Sequence, residues 1–146
     1  MPSPYMSNYG VVELTAATLS LTAGGHAGQT VVSNLAATQT ITLPASSGSG
    51  NVYRIFVETT KTGDLIIQVA NATDVMNGVL GVATDAGGVN IPTAATSDTI
   101  TMNGSTTGGV QGSFVELQDV ASGVWRVSGA LVSTGTEATP FSAAVS

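Results

Sequence analysis

Apolar residues in this chain recur at every second position in short runs, and nowhere do they keep a period of about 3.6 residues for three helical turns. The clearest runs are VYRIFVE (Val52–Glu58), DLIIQVA (Asp64–Ala70), DTITMN (Asp98–Asn103), SFVELQD (Ser113–Asp119) and VWRVSG (Val124–Gly129). Successive side chains of a strand point to opposite faces, so each run offers one apolar face to a core and one face to solvent. Glycine-rich punctuation at intervals of about 8–12 residues joins strands of this kind into a sandwich or barrel. The pattern therefore predicts an all-β chain with little or no helix: an antiparallel β-sandwich, jelly-roll-like, with extended terminal arms.

The order of the runs predicts one domain over residues 11–132. Val11–Thr15, Thr18–Thr22, Gln29–Ser33 and Gln39–Leu43 supply its first strands, with turns at Ala23–Gly28 and Ser46–Gly50. Val52–Glu58 and Asp64–Ala70, separated by Thr59-Thr60-Lys61-Thr62-Gly63, read as a central hairpin by spacing. Phe114–Asp119 and Val124–Val127 read as a second hairpin around Ser122-Gly123. Asn71–Gly88 reads as a loop, one short strand and a turn at Asp85–Gly88, and Gly104–Gly112 as a polar loop. Alternation nominates Ile55, Val57, Ile67, Val69, Ile100, Val115, Leu117 and Trp125 for the core. No internal repeat stands out. Outside the domain, Pro2 and Pro4 exclude helix or central strand from an arm at residues 1–10, and Pro140 breaks a polar tail at residues 133–146. Tyr5, Met6 and Tyr9 in the arm and Phe141 in the tail are the groups available for contact with a neighbouring subunit or a larger partner.

Little in the chain supports catalysis. His26 is the only histidine, cysteine is absent, and only Arg54, Lys61 and Arg126 are basic. His26 lies in a turn without a nearby carboxylate and reads as an ordinary loop histidine. Asp64, Asp74, Asp85, Asp98 and Asp119 fall at strand ends and turns, where Asx hydrogen bonding explains them better than a calcium site does. Glu58 and Glu116 lack the aromatic-lined cleft that a glycosidase pair requires. The Gly104–Gly112 glycines precede no lysine and helix of a phosphate loop. No cofactor and no metal are expected. A net charge of −6 leaves too few cations for a nucleic-acid backbone, and no apolar run is long enough to span a bilayer. Absence of cysteine fits synthesis in a reducing cytoplasm. Charged residues make up 8% of the chain against a usual figure of about 25%, so much of the exterior is expected to be covered by copies of itself or by a partner.

Four segments carry a family resemblance: GSGNVYRIFV from Gly48, DLIIQVANATDVMNGV from Asp64, SDTITMNGSTTGGVQGSFVELQDVASGVWRV from Ser97 and STGTEATPFS from Ser133. In run and order they resemble the head decoration (cement) proteins of tailed bacteriophages, over about half of the chain. The resemblance implies a non-catalytic virion protein, made in the host cytoplasm, that sits on the outer surface of the capsid as a homotrimer. Its partner would be the major capsid protein, with no nucleic acid or membrane involved. It transfers no catalytic or contact residues. The competing expectation is a carbohydrate-binding or receptor-adhesion module displayed on a phage head or tail, for which an exposed Trp125 or a Tyr5–Tyr9–Tyr53 platform would be the sign.

Overall fold

A computed structural model describes residues 10–146. Its first six strands are three stacked arches. Strands β1 (Val11–Leu14), β3 (Thr30–Ser33) and β5 (Val52–Val57) lie side by side and parallel in one sheet. Their successors β2 (Thr18–Ser20), β4 (Gln39–Thr42) and β6 (Leu65–Gln68) lie side by side and parallel in the other. Each odd strand thus bends across the core into the even strand that follows. A single helical turn, α1 (Ala23–His26), joins the first arch to the second and is capped by Thr22, whose Oγ1 accepts from the Gly25 amide at 3.2 Å.

The second half adds β7 (Val75–Thr84), β8 (Gly87–Pro92), β9 (Thr99–Met102), β10 (Phe114–Ala121), β11 (Val124–Val132) and β12 (Phe141–Ser142). The larger sheet has seven strands in the order β1-β3-β5-β10-β11-β7-β8, and the smaller has five in the order β12-β9-β6-β4-β2. The all-β sandwich expected from the alternation is what forms. Its sheets are mixed, because both contain the parallel arch strands and β11 also runs parallel to β7. The wholly antiparallel, jelly-roll-like course is therefore not the one these pairings trace.

Register makes the core. Leu19, Ile41, Ile67, Ile100 and Phe141 are successive partners across all five strands of the smaller sheet. Val12, Val31, Ile55 and Val115 form the corresponding row across the larger one. All eight residues nominated for the core are buried, and Trp125 meets Tyr53 edge-on with ring centroids 5.7 Å apart. The Ser122-Gly123 hairpin of β10 and β11 is present as expected, with Gly123 at φ +82°.

Three expectations need correction. The central "hairpin" is an arch: β5 and β6 belong to different sheets and pair with β3 and β10, and with β4 and β9, respectively. Residues 71–88 hold the longest strand rather than a loop and a short strand, since β7 runs for 10 residues through Gly78. A Cβ at Gly78 would fall 1.9 Å from the Val127 carbonyl oxygen, so glycine there admits the neighbouring backbone instead of breaking the strand. Residues 133–146 do not stand off as a tail. Phe141 pairs with Ile100 and is buried, and Asp98 accepts hydrogen bonds from the Ala144 and Val145 amides at 2.8 and 3.2 Å.

Candidate interaction surface

All three basic groups of the described residues and several of the acidic ones make contacts within the fold. Arg54, Glu116 and Arg126 meet on the larger sheet, where Glu116 accepts from Arg54 Nε at 3.2 Å and lies 3.8 Å from Arg126 Nη1. Glu58 is exposed beyond the end of β5 and takes no part in that group. The third basic residue, Lys61, is buried in the bend of the third arch, where its Nζ donates to Gln39 Oε1 at 3.0 Å, to Ser33 Oγ at 3.4 Å and to the Leu35 carbonyl. Burial lowers the Lys61 pKa below the usual lysine value. Gln39 continues this polar spine, donating through Nε2 to the Leu14 and Ala16 carbonyls at 3.0 and 2.8 Å. One residue from each arch is thereby tied to the next.

The aspartates act as anchors. Asp119 accepts from the Ser47, Gly48 and Ser49 amides at 2.9, 2.7 and 3.2 Å and from Ser49 Oγ at 2.6 Å, so the Ser46–Gly50 loop wraps around one carboxylate. Burial alone raises its pKa, but the bonds from Ser49, Gly48 and Ser47 outweigh burial and leave it lowered. Asp74 holds the Ser46 amide at 2.8 Å. Half-buried His26 faces its own helix cap, accepting the Thr22 amide at Nδ1 over 3.0 Å. Among the described residues no three His, Cys, Asp or Glu side chains converge in a way that would hold a metal.

What remains is the edge of the larger sheet. That sheet has two strands more than the one it packs against, and burial falls away accordingly. β7 still buries Met76, Leu80 and Val82, whereas β8 buries nothing and exposes Val89 by 48%. A two-residue turn, Asp85-Ala86, closes this hairpin. At its tip a cavity of about 360 Å3 opens between Thr84, Val89, Thr136 and Glu137. Exposed Val79 lies on the outer side of the same hairpin, opposite Pro92.

Of the residues nominated for contact, Phe141 is in the core, where its row with Ile100 and Ile67 explains its burial. Tyr5, Met6 and Tyr9 lie outside the described residues. The β7–β8 surface went unread because glycines at 78, 81, 87 and 88 resemble loop punctuation. The signal that was present is the uncharged GGVNIP stretch with its two β-branched residues, Val89 and Ile91. Neither a protein-family model nor a curated protein nor a solved structure matches the chain.

Proposed function

We propose that this chain is a non-catalytic virion structural protein that binds the outside of a tailed-bacteriophage capsid as a homotrimer and stabilises the shell. The observation that carries the reading is the β8 edge, a six-residue uncharged strand left open on a sandwich whose basic groups are engaged internally. Open strands accept extended segments from neighbours through main-chain hydrogen bonds, which suits a protein that works by many weak contacts to a repeating surface. The resemblance of segments within Gly48–Asn77 and Asp98–Phe141 to head decoration proteins supplies the setting. Against the carbohydrate-binding alternative, Trp125 and Tyr53 are buried at 0% and 2% exposure, which removes the stacking platform that they would have offered.

The test is to prepare particles with and without the chain, image them by electron cryomicroscopy and follow DNA release on heating. Extra density on the outer shell and a higher release temperature are expected when the chain is present. Particles that never carry it, or carry it with no change in release temperature, overturn the reading.

A further inference from the structure

We infer that residues 1–9 of a second copy of this chain add as a strand to the free edge of β8. This names the self-contact of the virion protein proposed above, and it rests on that reading for its setting.

The sandwich has four edges, and three are protected in the ways natural sheets use. β12 has two residues, β2 has three, and β1 has four with a charged Glu13 among them. β8 has six residues, none of them charged and none buried. Among the described residues its backbone is bonded only towards β7 and its own turn, so Gly88 and Asn90 face outward with both N–H and C=O, while Pro92 at the end of the strand offers a C=O alone.

The segment MPSPYMSNY fits that edge chemically. It is uncharged, like the edge, and its large side chains are Tyr5, Met6 and Tyr9. The open depression beside Val89, lined also by Thr84, Thr136 and Glu137, lies next to this edge and offers hydroxyl and carboxylate acceptors to a tyrosine O–H. Pro2 and Pro4 are compatible only with an outermost strand, so the added segment closes the sheet instead of offering a new edge.

Reach decides whose segment it is. Gly10 adjoins β1, at the opposite side of the seven-stranded sheet from β8. Crossing from the first strand to the seventh takes about 29 Å at the usual interstrand spacing of about 4.8 Å. Residues 1–9 span about 30 Å when fully extended, which leaves nothing to lie along β8. Within one chain the pairing is out of reach, and between copies it is not. The contact joins two different surfaces, so it closes by reciprocal exchange between two copies or as a larger ring, and a ring of three satisfies every β8 edge in the proposed trimer.

The test uses purified protein without any capsid. Sedimentation should give a closed oligomer for the intact chain and a monomer with an unchanged unfolding midpoint after deletion of residues 2–9. The free peptide Met1–Tyr9 should bind the deleted protein saturably, and at least tenfold more weakly when Val89→Asp is present. Asn90→Lys serves as the second edge variant if Val89→Asp fails to fold. A monomeric intact chain, an oligomer that survives the deletion, or peptide binding indifferent to both edge variants overturns the inference. Loss of the oligomer in Val89→Asp but not in the deletion also overturns it and indicates β8 against β8. Occupancy on particles is scored separately, so an oligomer that ignores capsids counts against the virion reading alone.

Discussion

The two halves of this sandwich use the same alternating sequence to different ends. From β1 to β6, consecutive strands cross between sheets and stack as parallel arches, whereas β7 with β8 and β10 with β11 fold back on themselves as antiparallel hairpins. The strands themselves do not distinguish the two: VYRIFV enters an arch and FVELQD a hairpin, each with one apolar face. The bends do. An arch bend encloses an interior, and here it is filled by buried Ser33, Gln39 and Lys61, which satisfy one another and the Leu14, Ala16 and Leu35 carbonyls. A hairpin turn encloses nothing, and Asp85, Ala86, Ala121 and Ser122 are all exposed. A lysine in a short connection is thus no guarantee of a surface turn when the strands on either side are both central ones.

The sharpest way to break this comparison is Phe141→Ala. Phe141 ends the apolar row that runs from the arch strands through β9, so its truncation should cost about 3–5 kcal/mol in denaturant unfolding. A loss below about 1 kcal/mol would mean that the last strand is not part of the core. Asp119→Ala comes next, since the residue sits on the hairpin half but holds the loop between the second and third arches. Loss of a charged acceptor with several donors should cost about 2–3 kcal/mol at neutral pH. The folded-state pKa of Asp119 is lowered, so its contribution is complete above the ordinary carboxylate range and is lost as pH falls through the folded value. Stability curves of parent and variant should therefore converge in acid, and parallel curves would deny the carboxylate its anchoring role.

Lys61→Met should cost less, about 1–2 kcal/mol, because relief from burying a charge offsets part of the loss of three hydrogen bonds. The parent should also gain stability as pH rises from the lowered Lys61 pKa towards the usual lysine range, and the Met variant should lack that gain. An identical alkaline limb in both proteins would argue for a lysine exposed as in a hairpin turn. Ser122→Ala, at such a turn, should change unfolding by less than about 0.5 kcal/mol.

Legibility in the sequence followed the same division. Strand faces were readable wherever alternation was unbroken, which is why Ile55, Ile67, Leu117 and Trp125 could be placed inside from the sequence. Pairing partners were not, because a two-residue period says which way a side chain points and nothing about which strand lies beside it. The three arches escaped notice as a repeat because their connections differ in length: β1 to β3 is offset by 19 residues (Val11 to Thr30) and β3 to β5 by 24 (Thr30 to Arg54). Phe141 looked like part of a polar tail because Ser, Thr and Pro surround it, and its burial depends on Ile100 some 40 residues earlier.

The placement of the three basic side chains also decides how the chain meets a protease. Trypsin cuts only after lysine or arginine, and here those positions are two mid-strand arginines and one buried lysine. The Lys61–Thr62 bond lies in a loop between exposed Thr60 and Thr62, but the Lys61 side chain that a protease must seize is buried, so cutting there requires the bend of the third arch to open. Trypsin susceptibility of this protein is therefore a gauge of opening at three known places, the third arch bend at Lys61 and the mid-strand positions of Arg54 and Arg126.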